Sequence, residues 1–395
     1  MQGIRLLKNS VKDYTWGSSS FIQELMGDRV SFRGPAAELW LGTHPMGPSK
    51  IVSEDNEESL EEVINRNPVE FLGKDAARRF PSGLPFLFKV IAAAKPLSIQ
   101  VHPDRLRARE GFHRENAAGI PLGSPLRSYR DESHKPELLC ALSEFHALKG
   151  FRPAGEAWAL LRDLDVELGE VESFSTAKFF RNLLSMDQGA VSALLHRVSG
   201  AAKERAGTDA AIGWVFKLGL QYPDDPGCLA PVLLNLISLR PQEALYVSPG
   251  EIHAYLEGAA VEVMANSDNV IRGGLTAKRI DRTELMEALN VEEKPCSVMV
   301  PVAVGSCEMQ YRAQAEEFML SIIEVDGAHA YRSAEKRNIE VYLCTCGSGK
   351  ITEAQQGCSL PFERGDSFVV PAFIASYSLT GTGKLFKVTI PSIQP

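Results

Sequence analysis

The sequence predicts a mainly β protein with a helical insert: two jelly rolls and an α-helical domain. Three observations predict it. The first 150 or so residues contain short stretches of alternating or continuous apolar character, "AELWLGTH", "LPFLFKVIAA", "PLSIQVH" and "ELLCAL", which read as strands. From "RPAGEAWALLRDL" to about Gly227 the texture changes to successive helical patterns, "STAKFFRNLLSM", "DQGAVSALLHRVSG" and "DAAIGWVFKLGLQYP". Strand signals return at Leu233 and fill the tail, where "MLSIIEV", "EVYLCTCG", "DSFVVPAF" and "KLFKVTI" are separated by Gly, Asp and Pro. Many short strands with regular turn signals indicate a sandwich or barrel. "SPGEIHAY" and "RGDSFVVPAFIASYSL" share a form (turn, strand, proline bend, strand) that suggests two related jelly rolls.

The expected division is one jelly roll from 1–152 and 230–297, a helical insert over 153–229, and a second jelly roll over 298–395. Within the first block "SSFIQELMG", "SLEEVINRNP" and "PVEFLGKDAARRF" carry helical signals. Ser59 precedes Glu61 and Glu62 as an N-cap. "DRTELMEAL" predicts one further helix, and "CGSGK" at 346–350 reads as a hairpin turn rather than a phosphate loop, because it lacks the required spacing.

A chain of 395 residues exceeds one ordinary core, so several domains are expected. Hydrophobic residues at 44% and charged residues at 23% fit a soluble globular protein. A net charge of −8 argues against nucleic acid as a partner, since phosphate backbones need a basic face. It leaves room for a small anionic substrate held by local Lys and Arg. The N-terminal stretch lacks the apolar core of a signal peptide, and "LPFLFKVIAAA" is interrupted by Lys89, so neither a leader nor a membrane partner is expected. A cytoplasmic protein is the expectation; the sequence leaves the oligomeric state open, with a monomer slightly favoured. The seven cysteines lack C-x-x-C spacing; Cys344 and Cys346 are weighed as a metal or redox pair and read as reduced core thiols.

Metal-capable side chains concentrate in three places: Gln100-x-His102, "DESHKPELL" with His134, Lys135 and Glu137, and "PGEIHAYLEG" with Glu251 and His253. A lone strand histidine is more often a hydrogen-bonded structural residue than a ligand. Two imidazoles with a carboxylate form a zinc- or iron-type shell, and a Gln carbonyl can add a neutral fourth ligand. Such a shell leaves a divalent ion net positive, suited to binding neutral hydroxyls or a carbonyl. In "PLSIQVHPD" the residues Ser98, Gln100 and His102 share one strand face, either a solvated edge or a pocket wall.

The motifs "FLFKVIAAAKPLSIQVHPD", "HKPEL", "PGEIHAYLEG" and "VEVMANSDNVIRGGLTAK", with "AELWLGTHPMGPS" near the start, together resemble the type I mannose-6-phosphate isomerases of the cupin superfamily. The resemblance covers residues 1 to about 290, and the tail matches the family's second jelly roll more loosely. It implies interconversion of mannose 6-phosphate and fructose 6-phosphate through an enediol(ate), with one zinc ion per chain held by Gln100, His102, Glu137 and His253. It further implies Arg272 as an active-site residue, with Glu262 as a proton carrier and Lys135 and Tyr255 in the same pocket. Ser98 would line the substrate site, with Lys89, Ser98, Arg272 and Lys278 the candidates for the phosphate. The resemblance carries no role for His44 and Trp40, which read as structural. One departure is Ala277, where the family motif has proline before the lysine; it puts the aim of Lys278 in doubt. The competing readings are a cupin metal oxygenase and a non-catalytic sugar-phosphate-binding protein. The cationic set counts against the oxygenase.

Overall fold

A computed structural model of the chain describes residues 3–27, 34–53 and 56–392. One strand, His253–Ala265, organises the first half. Its C-terminal part lies between Phe86–Ala93 and Glu137–Ala141, while its N-terminal part pairs with Phe145–Phe151 and, at His253, with Ile99–Val101. The strand Ile271–Gly274 pairs with the outer side of Ile99–Val101. These elements belong to a ten-stranded antiparallel sheet.

The tail forms an eleven-stranded sheet around Glu340–Glu353 and Tyr377–Thr389, which pair over nearly their whole length. The chain's beginning joins it: Arg5–Lys8 pairs with Ser367–Val370 on one side and Lys50–Val52 on the other. The mainly β fold with a helical stretch is as expected.

Period-two alternation sorts the central strands into a core face and a site face. Phe86, Phe88, Val90, Leu138, Cys140, Val261 and Val263 pack with Leu320, Leu343, Val369, Phe386 and Val388 from the tail. Each such fully buried side chain contributes about 1.5–3 kcal/mol. The alternate positions, Lys89, Glu137 and Glu262, face the other way, into a cavity. The helices Ala154–Asp163, Thr176–Ser185, Gln188–Arg205 and Ala210–Gln221 occupy the stretch that reads as helical. Three of them are capped by Ser175, Asp187 and Asp209, whose side chains accept from backbone N–H groups of the first turn. Their apolar faces, with Leu194, Val198, Ile212, Val215 and Leu218, cover Ile99, Val101, Leu148, Ile252 and Ala254. The two short metal-motif stretches are thereby backed by a packed core.

Three local readings gain detail or change. "PVEFLGKDAARRF" is helical as read, in two pieces, Pro68–Leu72 and Lys74–Arg79, broken at Gly73, whose φ is 98°. Ser59 occupies the N-cap of Leu60–Arg66, yet its hydroxyl makes no capping hydrogen bond. "CGSGK" is not a hairpin turn: it lies inside Glu340–Glu353, with a register shift between Cys344 and Cys346. The glycine serves close approach instead, since a Cβ at Gly347 would fall 2.0 Å from the Thr382 carbonyl oxygen.

Candidate active site

Three strand ends bring His102, Glu137 and His253 together. His102 follows Ile99–Val101, and Glu137 and His253 each begin a strand. The Gly250 N–H donates to the His102 carbonyl at 2.7 Å, tying the two histidine loops to each other. His102 Nδ1 lies 2.7 Å from the Asn269 carbonyl and His253 Nδ1 lies 3.0 Å from that of Glu251. A carbonyl only accepts, so both Nδ1 atoms carry the proton, and in the neutral ring each Nε2 presents a lone pair.

Those lone pairs point at a carboxylate. His102 Nε2 is 3.0 Å from Glu137 Oε1, and His253 Nε2 is 3.4 Å from Glu137 Oε2. All three residues are buried, and their ligand atoms lie within 4.8 Å of one another. His102 Nε2 has no hydrogen-bond partner. A proton does not resolve the clash between acceptors, because burial pushes the His102 imidazole down to about 4, well into the neutral form at ordinary pH. Burial works against the Glu137 carboxylate, yet its pKa is held well below the usual range, with the Lys135 ammonium 3.3 Å from Oε1. Two imidazole nitrogens facing an anionic carboxylate across a buried gap fit a divalent cation, and the N/O donor set fits zinc.

A cavity of about 510 Å³ opens over this group. Ser98, Gln100, Lys89, Lys135, Glu137, His253, Tyr255, Glu262, Arg272 and Lys278 all line it, with His102 buried at its base. Sheet register sets one row: Arg272 lies opposite Gln100, and Gln100 opposite His253. The face shared by Ser98 and Gln100 is therefore a pocket wall. Gln100 Nε2 donates to Ser98 Oγ at 3.3 Å, which leaves its carbonyl oxygen to serve as an acceptor.

The cavity has two electrostatic ends. At one, Lys89 Nζ is 3.2 Å from Glu262 Oε2, Lys135 Nζ is 3.3 Å from Glu137 Oε1, and the Tyr255 hydroxyl donates to Glu137 at 3.2 Å. Burial, and then the Glu137 charge, raise the pKa of Glu262. Burial opposes the Lys89 ammonium, but Glu38, Glu262 and Glu137 outweigh it and hold its pKa above the ordinary lysine value. At the other end Arg272 and Lys278 have no carboxylate partner among the described residues. Arg272 depresses Lys278, with burial adding to it, and Arg272 is itself lowered by burial and by Arg130. Cations gathered without counterions make an anion site.

Among the lining residues that sequence reasoning missed are Glu38, Trp40, Asp268 and Tyr222. Trp40, read as structural, lines the cavity; its Nε1 donates to Glu38 Oε2 at 2.6 Å, and Lys89 sits 5.6 Å above its ring. His44 braces it, packing edge-on against the Trp40 ring at 4.8 Å and reaching Asp268 at 3.3 Å. A signal existed in "AELWLG", where a glutamate interrupts an apolar run two residues before Trp40. Tyr222 ends the helical stretch and carried no signal.

A jelly-roll scaffold with a buried His–Glu–His group at the base of a polar cavity defines a cupin-type metalloenzyme. The comparisons narrow the class. Residues 4–154 match the phosphomannose isomerase type I catalytic domain, and residues 308–390 match the mannose-6-phosphate isomerase cupin domain. The mannose-6-phosphate isomerase of Salmonella typhimurium is 36% identical, over 97% of this chain and 98% of its own. The human one is 35% identical, over 93% of each chain. A zinc-bound mannose 6-phosphate isomerase structure superposes with a TM-score of 0.90 at 34% identity, covering 99% of this chain and 100% of the other. The Salmonella enzyme with fructose 6-phosphate and zinc gives 0.89 at 34%, with the same coverage. The chain belongs to the type I mannose-6-phosphate isomerase family.

Proposed function

We propose that the chain is a zinc-dependent aldose–ketose isomerase that interconverts mannose 6-phosphate and fructose 6-phosphate through an enediol(ate). The observation that carries this is one cavity holding both a buried metal-ligand group and an unpaired cationic pair, in a chain of this family. The oxygenase reading gains nothing from that cationic pair. A pure binding protein has no use for a buried carboxylate whose pKa is raised.

His102, Glu137 and His253, with the Gln100 carbonyl, hold one zinc ion per chain. Bound there, zinc supplies a Lewis acid for the sugar oxygens. The isomerisation moves a proton between C1 and C2, so it needs a base, charge stabilisation on oxygen and a grip on the phosphate. Glu262 is the proton carrier, its raised pKa bringing it closer to the working pH. Lys135 and Tyr255 donate to sugar oxygens; burial keeps the Tyr255 hydroxyl protonated. Lys89 holds Glu262 in place. Arg272 offers two donors to an enediolate or phosphate oxygen, and Lys278 and Ser98 complete the phosphate grip. Trp40 and Tyr222 wall the cavity.

No helix among the described residues is long and apolar enough to cross a membrane. A cytoplasmic location belongs to the proposal and is supported by the thiols of Cys140, Cys228, Cys296, Cys307, Cys346 and Cys358, which form no disulfide. The test is turnover of mannose 6-phosphate in deuterated water, followed by NMR. Conversion to fructose 6-phosphate with exchange of solvent deuterium into the transferred position supports the reading. Absence of conversion by zinc-loaded protein overturns it.

A further inference from the structure

Two loops meet beside the cationic end of the cavity. One leaves the helix Ala210–Gln221 at Tyr222 and runs to Gly227; the other follows Ile271–Gly274 and carries Thr276 and Lys278 along the cavity wall. Asp225 joins them. Its Oδ1 accepts the Gly227 N–H at 2.7 Å, and its Oδ2 accepts the Thr276 N–H at 3.1 Å. Thr276 Oγ1 in turn accepts the Lys278 N–H at 3.1 Å. A single carboxylate thus holds backbone on both loops, and the chain of contacts ends at the lysine.

The held turn is one that needs holding. Leu275 sits at φ 53°, a left-handed conformation that a bulky residue keeps only when its surroundings impose it. Packing leaves little slack: a Cβ at Gly274 would fall 3.0 Å from Gly227 Cα, and one at Gly227 would fall 2.9 Å from the Leu275 nitrogen. Arg272 and Lys278 repel each other across this turn without a carboxylate between them. Ala277 in the same turn supplies no proline to stiffen it.

We propose that Asp225 is a positioning residue for sugar-phosphate binding: it clamps the Leu275–Lys278 turn to the end of the helical stretch, so that Lys278 stands beside Arg272 facing the phosphate. The proposal rests on the isomerase reading, and it assigns the helical stretch a part in substrate recognition. Asp225 touches neither the metal group nor the reacting carbons, so its effect is confined to binding.

The experiment compares wild type, Asp225→Asn and Asp225→Ala, each loaded with zinc. It reads kcat and KM for mannose 6-phosphate, the inhibition constant of inorganic phosphate, zinc per chain and Tm. Losing both hydrogen bonds should raise KM and the phosphate constant together, by about tenfold or more, with kcat within about threefold and zinc unchanged. Asp225→Asn keeps one acceptor oxygen and should fall between. In a Lys278→Ala background the Asp225→Ala change should add little, since the group being aimed is gone. A purely structural role would lower Tm and leave the phosphate constant alone. Unchanged KM and phosphate constant, a fall in kcat alone, or full additivity with Lys278→Ala would overturn the proposal. Inactive wild type would instead strike at the isomerase reading, and the phosphate constant can then still be measured by calorimetry.

Discussion

Lys89 and Glu262 face each other in the register of two antiparallel strands, and their side chains meet at 3.2 Å with both residues buried. Each strand keeps its neighbouring positions in the apolar core, so the pair cannot leave the cavity without inverting the alternation. The pairing fixes where the carboxylate sits and keeps the ammonium charged.

The pair predicts two unlike mutants. Glu262→Gln keeps a hydrogen-bond acceptor but cannot carry a proton; kcat should fall about 10²–10⁴-fold, with a smaller loss of Tm than in Lys89→Ala, because Glu38 and Glu137 still favour the Lys89 ammonium. Lys89→Ala strands a buried carboxylate and should destabilise the fold by about 3–5 kcal/mol. Steady-state kinetics and thermal melts on both proteins check this. Full activity in Glu262→Gln would remove it from the proton path.

A pH dependence follows from Lys278. Arg272 and burial lower its pKa below the ordinary lysine value, so on the alkaline side it loses its proton earlier than a free lysine would. KM should therefore rise as pH increases toward that depressed value. Lys278→Arg stays charged and should flatten the alkaline rise. An identical KM profile for both proteins would place the phosphate elsewhere.

The seam between the two sheets makes a third prediction. Phe386 and Leu138 are buried in one apolar cluster that joins the tail to the site-bearing sheet. Phe386→Ala should cost about 3–5 kcal/mol and Leu138→Ala about 2–5 kcal/mol. KM should stay near wild type at temperatures where the protein is folded. Denaturant melts beside KM values test it; a large KM change with little loss of stability would mean the seam shapes the cavity directly.

Much of the site is legible because strand chemistry is local. The alternation in "PLSIQVHPD" shows which side chains share a face, and the structure opens that face onto the cavity. The glycines of "CGSGK" mislead, because close approach of two long strands asks for the same residue as a turn does. The pairing of Arg5–Lys8 with Ser367–Val370 joins segments about 360 residues apart, and no local pattern encodes such a contact. Tyr222 reaches the cavity, and Asp225 the loops beside it, only through packing of the helical stretch, which periodicity describes but does not aim. Trp40 shows the intermediate case: Glu38 beside it was visible, but its partner Lys89 came from another strand.

The central claim is that His102, Glu137 and His253 hold a zinc ion which turnover requires, while Arg272 acts without holding it. The measurement is zinc per chain together with turnover of mannose 6-phosphate, for wild type before and after chelation, His253→Ala and Arg272→Ala. Wild type should carry about one zinc, lose turnover on chelation and recover it on zinc addition. His253→Ala should lose both metal and activity, because a ligand is gone. Arg272→Ala should keep its zinc and lose about 10²–10³ in rate. Full turnover by metal-free protein, or zinc loss in Arg272→Ala matching that in His253→Ala, would contradict the account.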